Sequence, residues 1–341
     1  MIGKELPLVS IVITSYNRAG IINKAIESAI AQDYPNLEII ISDNASTDNS
    51  MEVINRFAGD PRMKISRNAE NIGMIANFKK ATIELASGEY ITYISSDDYL
   101  CDKSFVSDAI SLILKYNEVL LVFGRIRQVL ASGDVVGITD EYPFWLKEFI
   151  PGKEVFLGFT QNSWLSFGAC VHRRKDLIDM KPFDEHNMAK DIEINLKLLL
   201  RGNACFINRI TYEQLIHFKN ESLSVNTDKR IGIVRDCFEE AYRYAVALYP
   251  ADKPLFDQWI ADVLKIYFKQ HLIALKITDA KEFKHLLRFV KENYKGIYKE
   301  INKDPRWKLM NTLYHPAIFP LLKVFSPKRY EYYKKRANSL S

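Results

Sequence analysis

The sequence is sparing with cysteine. Its four cysteines (Cys101, Cys170, Cys205 and Cys237) lie far apart and form no Cys-x-x-Cys pair. That spacing excludes a disulfide framework and a cysteine zinc site, and points to reduced thiols in a cytoplasmic protein. Glycine is scarce as well, at 14 in 341 residues. No Gly-x-Gly-x-x-Gly follows a strand-like run, which speaks against a dinucleotide dehydrogenase. The first apolar run leads into Thr14-Ser15-Tyr16-Asn17-Arg18-Ala19-Gly20, without the glycines of a nucleotidyltransferase phosphate loop. No basic-then-apolar leader precedes Leu8, and no apolar stretch is long enough to span a bilayer. Low-complexity segments, internal repeats and nucleic-acid-binding motifs are missing too.

What is present describes a globular α/β chain. Hydrophobic residues make up 48% and charged residues 26%, enough to bury one large domain with an appendage. The net charge of +5 is unevenly placed. The segment from Lys281 onward carries roughly +10, which leaves the earlier part mildly acidic. β-branched runs predict strands over 8–13, 37–41, near 63–65, 89–94 and 119–123, with others near Val129 and Val135. Helical periodicity predicts helices over 19–32, from Ser46 or Thr47 to before Gly59, from Gly73 through Leu85, and over 103–116. This alternation predicts a mostly parallel sheet with helices on both faces and right-handed crossovers. Residues 161–173, with Trp164 and Phe167, read as a strand pair and a pocket wall. Further strands are expected over 205–208 and 211–218. Three helices follow, over 231–248, 254–276 and 281–294, and a domain boundary falls near residue 228.

The chemistry concentrates at strand ends. The run Glu89 to Ile94 delivers Ser95-Ser96-Asp97-Asp98. Two adjacent carboxylates repel and lose water on burial, and a divalent cation relieves both costs. In parallel sheets the carboxyl ends of strands share one edge, so Thr14 to Arg18, Asp43-Asn44 and Asp97-Asp98 are expected to converge on one ligand. Asp191 lies at the start of an amphipathic helix stopped by Gly202. There the helix dipole is expected to lower its pKa and keep it ionised, ready to act as a general base. The tail interleaves Lys and Arg with Trp307, Tyr314, Phe319, Phe325, Tyr330, Tyr332 and Tyr333, a composition suited to an anionic membrane surface and not to nucleic acid.

Together, Val12-Ile13-Thr14-Ser15-Tyr16-Asn17-Arg18, Ser42-Asp43-Asn44-Ala45-Ser46-Thr47-Asp48, Asn71-Ile72-Gly73 with Asn77-Phe78, and Ser96-Asp97-Asp98 resemble family 2 glycosyltransferases of the GT-A fold. The wording is nearest to bacterial O-antigen and capsule sugar transferases of the abequosyltransferase kind. The resemblance covers about residues 7 to 225 and implies a GT-A, Rossmann-like catalytic domain over 1–227, followed by a basic, aromatic-rich helical region over 228–341. It implies inverting transfer of a sugar from a nucleotide-diphospho-sugar to an acceptor hydroxyl. Carried over by position, Thr14, Tyr16 and Arg18 line the nucleotide pocket. Asp43 bonds the base, with Asn44, Asn71 and Gly73 nearby, and Ser96 and Asp97 meet the donor. Mg²⁺ or Mn²⁺ sits on Asp97 with Asp98, and His217 is a further candidate ligand. Asp191 resembles the family's general base. The basic, aromatic tail adds the expectation of a lipid-linked sugar acceptor, handled at the inner face of the membrane. Two positions depart from the family pattern. Ser95 stands where Asp-x-Asp members have their first aspartate, and Lys190 replaces the glutamate before the base. The first departure keeps open a reading from another class, a non-catalytic sugar-nucleotide-binding protein.

Overall fold

The structure is a computed structural model and describes residues 6–116, 118–138, 147–159, 167–181, 183, 190–216, 227–305 and 307–308. The chain divides into two compact units. One comprises residues 1–158 and 162–217, the other residues 159–161 and 218–341.

The first unit alternates strands and helices: β1 (Val9–Ser15), α1 (Ile22–Ile30), β2 (Leu37–Asp43), α2 (Ser50–Asn55), β3 (Met63–Arg67), α3 (Met74–Lys80) and β4 (Tyr90–Ser95). It continues with β5 (Tyr99–Leu100), α4 (Phe105–Lys115), β6 (Val119–Leu130), β7 (Val135–Ile138), β8 (Phe149–Ile150), α5 (Gly152–Gly158), β9 (Cys170–Arg173), α6 (Arg174–Asp179), α7 (Lys190–Leu199) and β10 (Asn203–Ile216). The ten strands form one sheet with the order β3-β2-β1-β4-β9-β6-β10-β5, and β7 and β8 pair with β6 and β10. β1, β2, β3 and β4 pair in parallel, as do β6 and β10. β9 runs antiparallel between β4 and β6.

Sequence explains the centre of this sheet. β2 is buried along its whole length and β1 along nearly all of it, as expected for parallel strands covered on both faces. α1 turns Ile22, Ala25, Ile26 and Ala29 inward, the i, i+3, i+4, i+7 stripe of an amphipathic helix. These side chains pack with Ile11, Ile13, Ile39, Ile41 and Phe105 in the main core.

Several details depart from the sequence expectations. The helix after Gly73 changes to a π-helical turn over Ala81–Leu85. The two strands expected over 205–208 and 211–218 are one strand, β10, whose register against β6 shifts at a bulge between Ile207 and Ile210. Gly88 allows β1 and the start of β4 to approach closely, since a Cβ there would lie 2.6 Å from Ser10 Oγ. The pocket wall expected over 161–173 lies outside the described residues as far as 166, and its remainder forms a short 3₁₀ turn (Phe167–Ala169) and β9.

The second unit is helical: α8 (Thr227–Leu248), α9 (Lys253–Thr278), α10 (Ala280–Asn293) and α11 (Lys295–Lys303). Asp279 caps α10, its Oδ1 accepting from the N–H groups of Lys281 and Glu282. Phe256, Phe268, Leu272, Leu286, Val290 and Ile301 are buried, and the Phe268 ring packs 5.0 Å from that of Tyr294. No helix among the described residues is long and apolar enough to cross a membrane. The aromatic tail beyond Lys308 lies outside the described residues.

Candidate active site

The register of the sheet brings the expected strand ends to one edge. Thr14 of β1 stands between Ser42 of β2 and Ser95 of β4, and Ser15 stands opposite Asp43. Asp43 in turn faces Arg67 at the end of β3.

The loops that leave this edge are tied to one another. Asp43 is fully buried. Its carboxylate accepts from the Ser46 N–H at 3.0 Å and from the Ser46 hydroxyl, and Arg67 Nε lies 3.5 Å away. Asn17, in the left-handed region at φ 53°, donates its N–H to Ser46 Oγ and accepts from the Thr47 N–H. Arg18 N–H donates to Ser50 Oγ, and Ala19 N–H to Asp48. The Asp43-to-Ser50 segment therefore acts as a clasp on the loop that carries Tyr16 and Arg18. Tyr16 is exposed and Arg18 half-buried, so both can meet a ligand above the clasp.

A second clasp holds the loop after β3. Asn44 Nδ2 donates to Asn71 Oδ1 at 2.8 Å, while Asn44 Oδ1 accepts from Asn68 and from the Ile72 N–H. Asn71 Oδ1 also accepts from the Gly73 N–H. Gly73 has φ +85° with open space around it, a conformation that favours glycine. Asn77 links Asn68 to Ser42. Asn68, which joins Asn44 to Asn77, is a position of this cluster that sequence reasoning missed. Its signal was the run of asparagines around the Asn71-Ile72-Gly73 motif.

The carboxylate pair divides its work. Asp98 is 4% exposed. Its Oδ2 accepts from the Tyr212 hydroxyl at 3.0 Å and its Oδ1 from the Leu215 N–H at 2.8 Å. Burial, and then the charge of Asp97, push its carboxyl well above the usual range. Tyr212 also receives the Ser95 N–H at 3.2 Å. Asp98 thus faces the sheet and pins the turn, although sequence reasoning paired it with Asp97 on a metal. Asp97 is half-buried and borders a cavity of about 580 Å³. Lys24, Tyr99, Arg127 and Glu213 supply polar walls to this cavity, and Val129 and Leu215 apolar ones. Glu213 ties that wall together, accepting from the Tyr99 hydroxyl and from Arg127.

Asp97 offers a hard oxygen donor of the kind that Mg²⁺ and Mn²⁺ prefer. Among the described residues no group of three or more His, Cys, Asp and Glu side chains could hold a metal ion. The donor set therefore fits a metal held by one carboxylate and completed by a ligand's own oxygens and water. His217, the further candidate, lies outside the described residues. Ser96 is 8% exposed beside Asp97.

Asp191 falls in the first turn of α7. Burial pushes its carboxyl up to about 6, against the backbone N–H groups of Ile192, Asp191 itself and Phe167. This corrects the expectation that the helix dipole lowers it. Desolvation outweighs the dipole here, and the group still ionises below neutral pH. One turn on, Asn195 Oδ1 accepts from the buried His172 ring at 2.7 Å. Phe167 stacks on Tyr93 at 5.1 Å. These contacts fix α7 and its approach to β4 and β9.

An α/β sheet flanked by helices, with a loop cluster and an acidic turn at one edge, is the architecture of GT-A proteins. Its solved counterparts agree. Residues 1–349 of Staphylococcus aureus TarS with UDP-GlcNAc superpose with a TM-score of 0.57 at 15% identity, covering 87% of this chain and 92% of that one. The Pyrobaculum calidifontis mannosyltransferase PcManGT, in complex with GDP-Man and Mn²⁺, gives 0.53 at 16% identity, covering 95% and 88%. Residues 10–178 match the model of glycosyl transferase family 2, and the chain belongs to that family. A chondroitin synthase of Pasteurella multocida is 30% identical over 231 residues, which is 66% of this chain and 22% of the synthase. The chain thus spans about a fifth of that relative's length.

Proposed function

We propose that this chain transfers a sugar, with inversion, from a nucleotide-diphospho-sugar to an acceptor hydroxyl during assembly of a bacterial surface polysaccharide, in O-antigen or capsule synthesis. The observation that carries this reading is the sheet register, which sets Thr14, Asp43 and the Ser95-to-Asp97 turn side by side. The nucleotide-diphospho-sugars bound by TarS and PcManGT support the donor class.

In this reading Tyr16, Arg18 and the two clasps receive the nucleotide, with Thr14, Asp43, Asn44, Asn71, Gly73 and Ser96 around it. Asp97 would hold Mg²⁺ or Mn²⁺, which would supply positive charge against the negative charge that develops on the leaving diphosphate. Asp98 positions Asp97 by fixing the turn. The cavity beside Asp97 gives room for sugar, its apolar side chains suiting C–H faces and its polar ones hydroxyls. Asp191 takes the proton of the acceptor hydroxyl as that oxygen bonds to the anomeric carbon, and the diphosphate leaves with the electron pair of the broken C–O bond. No covalent sugar-enzyme species is needed. The acceptor is lipid-linked, and the protein works in the cytoplasm, peripheral to the membrane's inner face.

The test is a thermal-shift panel of UDP-, GDP-, dTDP- and CDP-sugars with and without Mn²⁺. A ligand that binds only the folded state raises the melting temperature. A metal-dependent rise with one donor, lost in Asp97→Asn, supports the reading and names the nucleotide. Turnover lost in Asp191→Asn, with that donor still bound, separates a transferase from a non-catalytic binder. The absence of any shift across the panel would sink the proposal.

A further inference from the structure

We infer that the exposed basic face of α10 docks on an anionic phospholipid surface, an assignment that rests on the peripheral reading above and gives it a location. Lys281, Lys284, Arg288 and Lys291 follow one another at steps of three and four residues, so they share one stripe of the helix. All four are exposed, while Leu286 and Val290 on the same helix are buried. Among the described residues none of the four is engaged in an ion pair. That separates them from cations such as Lys269 and Lys303, which pair with Asp304 and Glu300. The stripe meets α11 where Lys291 Nζ lies 5.1 Å from the centre of the Tyr298 ring. Lys295 and Lys299 of α11 are exposed as well. Glu292 is the exposed acid on α10, and Glu282 is half-buried.

Cations without an ion pair among the described residues are complementary to a surface of fixed negative charge. A cluster of this size on one helix suits anionic lipid headgroups, each Lys or Arg adding about fivefold to the partition. Three of the four are lysines, hydrated point charges that need no fixed partner geometry, whereas bidentate reading of a nucleic acid favours arginine.

The experiment is co-sedimentation of the full chain with vesicles one-third phosphatidylglycerol and two-thirds phosphatidylcholine, at about 0.1 M salt where exposed charges are still felt within a Debye length. The wild type should bind these vesicles and not pure phosphatidylcholine. The triple neutralisation Lys284→Gln, Arg288→Gln and Lys291→Gln should weaken binding about a hundredfold. A control with the same change in net charge, Lys103→Gln, Lys175→Gln and Lys253→Gln, should leave it unchanged. Circular dichroism and melting temperature confirm that both variants fold. Equal binding by wild type and the α10 variant overturns the inference, as does equal weakening in the control. Binding to single-stranded RNA through the same residues, with vesicles ignored, overturns it in favour of a nucleic acid. Vesicle binding is read without turnover, and donor thermal shifts without vesicles, so failure of one leaves the other standing.

Discussion

Asp191 supplies the sharpest test of the mechanism, because its environment predicts a number. Burial holds its carboxyl at about 6, roughly two units above an ordinary aspartate. A general base works only when ionised. At pH 5 about a tenth of the enzyme would carry ionised Asp191, and at pH 7 about nine-tenths. The kcat/KM for the acceptor, which reports the free enzyme's ionisations, is therefore expected to fall about tenfold from pH 7 to pH 5, with the inflection near 6. Asp191→Asn should lower the rate by roughly 10²- to 10⁴-fold and abolish the inflection. Stability should move the other way. The folded pKa is raised, so the charged carboxylate costs folding free energy as pH rises from about 4 through about 6. The Asn variant should therefore be at least as stable as wild type at pH 7. The assay is nucleotide-diphosphate release across pH 4.5–8, paired with thermal melts. A rate that stays flat down to pH 5, or an inflection retained in Asp191→Asn, would refute the assignment of the base.

Three further outcomes are expected. Glu38 is buried at 5% exposure. Burial alone would raise its carboxyl, but Lys64, Ser10 and Ser87 outweigh burial and hold it at about 2. Because the folded pKa is depressed, its contribution is full above about pH 4.5 and is lost as pH falls towards 2. Glu38→Gln should cost about 3 kcal/mol at pH 7 in urea unfolding, with the deficit shrinking near pH 3; a deficit independent of pH would contradict this. Tyr212→Phe removes a donor to Asp98 and the acceptor of the Ser95 N–H. It should cost about 1–3 kcal/mol and weaken metal-dependent donor binding measured by calorimetry. Asn44→Ala unties Asn71, Asn68 and the Ile72 N–H. It should destabilise by about 2 kcal/mol and weaken nucleotide binding even without metal, and unchanged nucleotide affinity would remove the second clasp from the site.

The parts of this protein legible in the sequence are those whose cause is local. β1, β2 and β4 announce themselves because strands buried on both faces are apolar without interruption, and the polar residues that end them fall on one edge once the strands are parallel. The Asp43-to-Ser50 segment is readable for the same reason, since its serines and aspartates bond to backbone a few residues away. The cross-ties to Asn17, Arg18 and Ala19 come from the neighbouring strand's loop, and no periodicity reports them. β9 falls within the strand pair expected over 161–173, but its antiparallel place between β4 and β6 was not legible, because a four-residue strand carries no pattern that names its neighbours. The division of labour between Asp97 and Asp98 shows the limit most clearly. Side by side in the chain, the two carboxylates are equivalent to any reading of local chemistry. What separates them is the hydroxyl of Tyr212, 114 positions further on, with the Leu215 N–H beyond it. β10 carries both, and its register against β6 shifts at the bulge after Ile207. A buried carboxylate must find donors, and Asp98 finds them in Tyr212 and Leu215, while Asp97 borders the cavity. The acidic turn is thus written locally, while the choice of which acid borders the cavity is made by the far end of the sheet.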